Sequence, residues 1–474
     1  MRYTQVKRLD TVDRLRAHLD TLGVDTAAAI PVDEQLDPNG ALAHPVTMSD
    51  ASAGTLTAPN RFAILPMEGW DGTPDGRPTD VVRRRWQRIA ASGAGLAWCE
   101  ATAVRSDGRA NPRQLVLHAS TVDDFAGLRA LLPTPQIAGL QLTHSGRWSR
   151  PHGDPEPRTV YRHPLLDERV GADPNGASVF SDGELDDLAS DYIDAAVLAR
   201  DAGFHFVDVK HCHGYLLHEL LTAYDRPGPY GGDLAGRTRF LRTVVAGIRE
   251  RAPRLAIAVR LSAFDLMPFA AGPGGMGEPM TPDAYPYAFG GDGTGLGVDL
   301  TETHAFLDVV AELGIGLVSI TAGSPYYNPH VQRPAYFPPS DGYQPPEDPL
   351  VGVARQLAAT AEITHRHPEL TIVGSGYSYL QDWLAHVGQA VVSRGDATMI
   401  GLGRMVLAYP DLPADVLAGR PLQRALVCRT FSDCTTAPRH GLISGCFPID
   451  PFYKAHPDRA VLTQIKKQAR PNNP

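Results

Sequence analysis

The feature that most constrains this chain is an alternation that begins at Arg61 and runs nearly to its end. Eight short apolar runs rich in Val, Ile, Leu and Ala fall at 62–66, 95–99, 137–142, 206–209, 256–261, 317–321, 371–374 and 398–401. Between them lie stretches with helical spacing at 80–91, 120–132, 183–202, 234–251, 302–313, 350–365 and 379–393, the third opened by the capping-box pattern Ser181-Asp-Gly-Glu184. Strands that are continuously apolar belong in a parallel sheet buried on both faces. Strands alternating with helices form right-handed βαβ units. Eight such units predict a (β/α)8 TIM barrel in preference to an open doubly wound sheet. The barrel is expected over 56–420, with an N-terminal extension at 1–55 that carries a short amphipathic helix at 11–22, and a C-terminal tail at 421–474.

Composition removes several functional classes. The net charge is −9 with no long basic run, so neither nucleic acid nor an anionic membrane surface is an expected partner. No apolar stretch approaches the ~18 residues that suggest a membrane span. The opening Met1-to-Asp10 segment is charged and lacks the apolar core of a secretory signal. Five cysteines in 474 residues do not make a disulfide scaffold. The expectation is a reduced, cytoplasmic protein acting on a small-molecule substrate, with homo-oligomerisation left open.

Three connections, 145–180, 263–300 and 323–348, are too long for simple turns, and all follow strands. In a barrel they rise from the C-terminal face, where active sites sit. The strand exits there carry Pro66-Met67-Glu68, Glu100, Gln141 through Arg147, Lys210-His211-Cys212-His213-Gly214-Tyr215, Arg260, Gly374-Ser375-Gly376 and Gly403-Arg404. A purely structural barrel has no use for so many polar groups at one mouth, since each is unfavourable if buried unpaired. The last two exits are the common phosphate position of this fold. Glycines there let backbone N–H groups approach phosphate oxygens, and Arg404 can pair with the anion.

Five segments carry a more specific resemblance. They are Asn60-Arg61-Phe62 with Pro66-Met67; Gln141-Leu-Thr-His144-Ser-Gly-Arg147; His213-Gly-Tyr-Leu-Leu217; Gly232 through Phe240; and Ile400-Gly-Leu-Gly-Arg404 with Pro410-Asp-Leu412. In this order they resemble the motifs of the old yellow enzyme (NADH:flavin oxidoreductase) family, whose FMN-binding barrel also forms part of larger relatives such as 2,4-dienoyl-CoA reductase and trimethylamine dehydrogenase. The resemblance implies FMN, with its phosphate at Gly374, Ser375, Gly376, Gly403 and Arg404. It implies Gln141 at the pyrimidine edge, Arg260 near N1, and Pro66, Met67, Glu68 and Glu100 along the flavin, with Glu68 near C4=O. NAD(P)H is the implied electron donor, and the implied reaction is ene-reductase-like transfer of hydride through the flavin to an electron-poor C=C bond. Tyr215 is then the proton donor, and His213 and Lys210 are hydrogen-bond donors to the substrate, with His211 as an alternative to Lys210.

The sequence departs from that pattern in three places. Lys210 stands where a second His is usual, so it is either a substrate donor or a structural partner of Glu100 or Asp208. Glu68 replaces a smaller residue and either tunes the flavin or pairs with Lys210 or an arginine. In the tail, Cys428, Cys434 and Cys446 resemble a cysteine motif that holds a 4Fe–4S cluster, but Phe431 occupies one cysteine position, so loss of the cluster is expected. Three thiolates with Asp433 or His440 remain the set that could hold iron or zinc. Cys99 and Cys212 read as core fillers. Two other functions compete: an amine or C–N-cleaving flavin dehydrogenase, and a flavin-free aldolase or lyase using a Lys210 Schiff base. A non-catalytic flavin-binding module is a third.

Overall fold

The computed structural model describes residues 3–468; Met1 and Arg2 of the charged opening segment, and 469–474, lie outside the described residues. The eight expected strands all form: β1 (Phe62–Ile64), β2 (Leu96–Ala103), β3 (Ile137–Thr143), β4 (Phe206–Val209), β5 (Ala256–Ser262), β6 (Leu317–Thr321), β7 (Thr371–Gly374) and β8 (Met399–Leu402). They pair in parallel and in sequence, and β8 closes onto β1 to complete a barrel. Every residue in these strands is buried, which is why the runs are apolar without alternation. The chain is therefore a (β/α)8 barrel.

The helices that cover it follow the expected spacing, with two differences. The 234–251 stretch is broken at Thr238 into Leu234–Arg237 and Arg239–Arg251. The 379–393 stretch starts as 3-10 turns at Tyr377–Trp383, because Gln381 takes φ 56°, and becomes α-helical only at Leu384–Ser393. The Asp182–Asp201 helix carries the expected capping box: the Ser181 hydroxyl accepts from Glu184 N–H, and the Glu184 carboxylate accepts from Ser181 N–H.

One end of the barrel is plugged. An antiparallel hairpin, Val46–Asp50 with Gly54–Ala58, packs Val46, Met48 and Ala58 against Trp98, Phe206 and Met399. Asp50 fixes it in place by accepting from the backbone N–H of Ile257, at the start of β5. The interior is so tight here that a Cβ on Gly139 would lie 2.0 Å from the Phe206 ring, which itself packs edge-on to Trp98. Gly139→Ala is expected to destabilise the fold by about 1–3 kcal/mol through overpacking. A urea titration would read this as a lower midpoint with an unchanged slope.

The opposite end, at the C-terminal ends of the strands, is open, and the C-terminal tail folds over it. Ser444 accepts a hydrogen bond from Trp70 N–H through its hydroxyl and donates its own N–H to Asp71, while Asp450 pairs with Arg84 at 2.9 Å. Behind this seam Arg85 bridges Asp71 and Glu100, at 2.6 and 3.2 Å. The tail expected to be a remnant loop thus becomes a wall of the open end.

Candidate functional site

The open end holds a cavity of ≈ 260 Å³. The strand exits deliver Pro66, Met67, Glu68, Gln141, Lys210, His213, Tyr215, Arg260, Ser375, Gly376, Gly403 and Arg404 to it. Three expected residues are placed differently. Gly374 ends β7 beneath the Tyr377 ring and does not line the cavity. Glu100 is committed to Arg85 and to the Trp86 indole N–H, at 3.2 and 3.0 Å, so it reaches neither a flavin nor Lys210. His211 points out of the barrel. Successive side chains leave a strand on opposite faces, so Asp208 and Lys210 face in while His211 packs against Phe306 and bonds the Val209 carbonyl. Burial pushes the His211 imidazole down to about 4. It is not an alternative to Lys210.

The Glu68 carboxylate is the acceptor at the centre of the site. Tyr215 donates its hydroxyl to it at 2.6 Å, and Asn111 and Gln114 donate amide N–H groups at 3.3 and 3.4 Å. Burial raises its proton affinity above the usual carboxylate range, opposed by Lys210. Lys210 forms an ion pair with neither Glu68, Glu100 nor Asp208. Its ammonium stands 3.6 Å from the Tyr215 ring centroid, a cation–π contact, and burial lowers its pKa. The Tyr215 hydroxyl also meets that of Tyr326 at 2.8 Å. Burial, Glu68 and Tyr326 hold the Tyr215 phenol well above its ordinary pKa, so it keeps its proton.

His213 sits at φ 68°, a left-handed conformation costing about 1–3 kcal/mol for a non-glycine residue. Gly214 follows at φ 74°, and together they turn the chain so that the His213 imidazole enters the cavity. Its Nε2 lies 3.2 Å from the Gln332 amide and 3.4 Å from the Thr321 hydroxyl. Burial holds it well below its usual pKa, so it acts as a neutral imidazole.

Deeper in, Asp208 accepts from Trp98 Nε1, Gln141 Nε2 and Arg260 N–H at 2.9, 2.5 and 2.8 Å, and burial raises it to about 6. This pins the Gln141 amide nitrogen and leaves its oxygen as the group facing the cavity. Arg260 donates to the Pro66 carbonyl at 3.1 Å, but its buried Nε has no partner among the described residues.

At the β7 and β8 exits the same pattern recurs. Arg404 donates to the Pro334 carbonyl at 2.7 Å with a buried nitrogen left over, and Arg333 donates to Thr435 with another left over. Gly376 is at φ 97°, and a Cβ on Gly403 would meet nothing within 4 Å. Burial, then Arg439 and Arg404, hold the Arg333 guanidinium below its usual range. Unpaired buried donors around an open glycine cradle fit a phosphate. The acceptor oxygen of Gln141 fits an imide N–H, and the Arg260 cation fits an electron-rich ring. The residues present therefore suit FMN.

Sequence reasoning missed Arg333, Gln332 and Tyr326, all in the 323–348 connection, and Arg439 in the tail. The first three lie in no motif, and Arg439 lies inside the cysteine motif without being one of its ligand positions. For the first three the only signal was the length of the connection. Cys428 lies near enough to Cys434 and Cys446 to raise both thiols, but among the described residues no three His, Cys, Asp or Glu side chains are placed to hold a metal ion. Phe431 stacks on Phe337, Cys428 is buried, and Cys434 lines the cavity wall.

The closed parallel barrel thus presents unpaired arginine donors and open glycines at its seventh and eighth strands, facing a hydrogen-bonded phenol–carboxylate pair, at the end where barrels of this fold bind ligands. Residues 51–271 match the model of the NADH:flavin oxidoreductase / NADH oxidase family. The chain is 25% identical to an NADH:flavin oxidoreductase of Gibberella zeae over 286 residues, covering 56% of this chain and 65% of that one. It is 28% identical to an NADPH dehydrogenase of Bacillus cytotoxicus over 223 residues, covering 45% and 61%. The structure of a 2-naphthoyl-CoA reductase superposes with a TM-score of 0.65 at 19% identity, over 90% of this chain and 58% of that chain. The aligned stretches thus span less than two-thirds of these relatives.

Proposed function

We propose that this protein is an FMN-dependent oxidoreductase that passes hydride from NAD(P)H to an electron-poor C=C bond of a small molecule. The observation that carries the reading is the 2.6 Å Tyr215–Glu68 hydrogen bond beside Lys210 and His213 at the barrel mouth. When bound, FMN would supply the two-electron chemistry, taking hydride from the nicotinamide and yielding it to the acceptor. Arg404, Arg333, Ser375, Gly376 and Gly403 would hold its phosphate, and Gln141, Arg260, Pro66 and Met67 its ring. The rest of the chemistry belongs to the chain. Tyr215, kept protonated, gives its proton to the acceptor's α-carbon. The phenolate left behind takes a proton back from solvent, and the Glu68 carboxylate, the phenol's hydrogen-bond acceptor, holds the hydroxyl in place. The His213 N–H and the Lys210 ammonium stabilise negative charge building on the acceptor's activating oxygen. The barrel at 56–420 carries this reaction, with the described residues of the N-terminal extension and the C-terminal tail packed against it and the tail lining one side of the cavity. Five free cysteines, and the lack of any described helix long and apolar enough to cross a membrane, support the proposed cytoplasmic location.

A second reading, amine or C–N dehydrogenation, is favoured by one feature: a carboxylate bonded to the phenol can also accept a proton from a substrate. The Lys210 aldolase reading has the family match against it. The test uses FMN-loaded protein under argon. NADH or NADPH should bleach the flavin, and a cyclic enone should restore its colour. Bleaching by an amine but by neither nucleotide would replace the ene-reductase reading with the dehydrogenase one.

A further inference from the structure

A second cavity, of ≈ 460 Å³, opens beside the first and shares Tyr326 and Arg439 with it. Four arginines line it, Arg113, Arg150, Arg169 and Arg439, against one acid, Asp341. The excess of three cations is notable in a chain whose net charge is −9. Arg439 is committed to Asp341 at 2.6 Å, and Arg169 donates to the Tyr326 carbonyl at 2.8 Å. Arg113 and Arg150 are exposed, and among the described residues their guanidinium groups have no carboxylate or hydrogen-bond partner. Converging cations at a cleft concentrate anions.

Tyr326 separates the two cavities. Its hydroxyl meets Tyr215 at 2.8 Å, and its ring lies on Trp148, 4.5 Å between centroids and 6° from parallel. A ligand whose reacting end lies beside Tyr215 and which runs past Tyr326 would put its far end among the arginines. We propose that this outer cavity is the subsite for a phosphate- or carboxylate-bearing tail of a ligand that reacts at the inner one. The inference rests on the function proposed above. It adds that the preferred ligand is long and anionic at its far end. Two sources share this chemistry, the hydride acceptor and the dinucleotide donor.

The test compares wild type with Arg113→Ala/Arg150→Ala, both loaded with FMN. Two acceptors with the same enone head are used, one with a neutral tail and one with a phosphate tail. With an acceptor tail in the subsite, kcat/KM for the phosphate-tailed compound should fall about tenfold or more in the variant, and with rising salt in wild type, while the neutral compound changes less than about twofold. A rise confined to the dinucleotide's Kd in flavin reduction supports the same subsite with the donor as its source. Equal losses for both acceptors, or no change in either half-reaction, would overturn it. Calorimetry with inorganic pyrophosphate separates this inference from the proposed reaction: arginine-dependent binding by a protein that reduces no acceptor leaves the subsite standing and sinks the reaction, whereas binding that survives in the variant removes the subsite.

Discussion

Tyr215→Phe should slow acceptor reduction by about 10²–10⁴-fold, the usual worth of a positioned proton donor. The same substitution should leave the rate of flavin bleaching by NAD(P)H nearly unchanged, because that step needs no proton from the phenol. The split follows from the site. Phe keeps the ring beneath the Lys210 ammonium, at a centroid distance of 3.6 Å in the native protein, and removes only the hydroxyl shared by Glu68 and Tyr326. Glu68 then loses its closest donor but keeps Asn111 and Gln114. Stopped-flow measurement of the two half-reactions separates the steps. Equal slowing of both would mean that the hydroxyl positions the ligand and that the proton comes from elsewhere.

The second large effect concerns the phosphate cradle. Arg333→Met/Arg404→Met should weaken FMN binding by about 10²–10⁴-fold, taking about 1.5–3 kcal/mol for each charged hydrogen bond lost. The flavin-free protein should respond in the opposite sense. Arg333 is half-buried near Arg404 and Arg439, with one buried nitrogen left unpaired among the described residues, so replacing it with a methionine of similar length relieves repulsion and the cost of desolvating that nitrogen. The variant should therefore melt at the same or a higher temperature without flavin, yet purify colourless. A variant that unfolds without flavin would instead make these arginines structural.

The barrel was legible because parallel strands buried on both faces must be apolar throughout, and 206–209, 317–321 and 371–374 match residue for residue. The cavity residues on those strands were legible because a polar group at a strand exit has few reasons to be there. Local chemistry was harder to read. His211 and His213 are two residues apart, and strand alternation alone would put both on the same face. The positive φ at His213 breaks the alternation, and sequence does not show it. Glu68 was recognised as a departure, but its partner Tyr215 lies 147 positions away, a contact only the closed barrel makes. Arg333, Tyr326 and Arg439 reach the mouth on a long connection and on the tail, where no periodicity constrains placement. The helix break at Thr238 and the kink at Gln381 carry no glycine or proline to announce them.

The most direct test of the central claim is a titration of the purified protein with FMN, followed by flavin absorbance and fluorescence, with NADH and NADPH then added separately without oxygen. The account predicts stoichiometric uptake, loss of uptake in Arg333→Met/Arg404→Met, and bleaching by at least one nucleotide. A folded wild-type protein that takes up no FMN would contradict it.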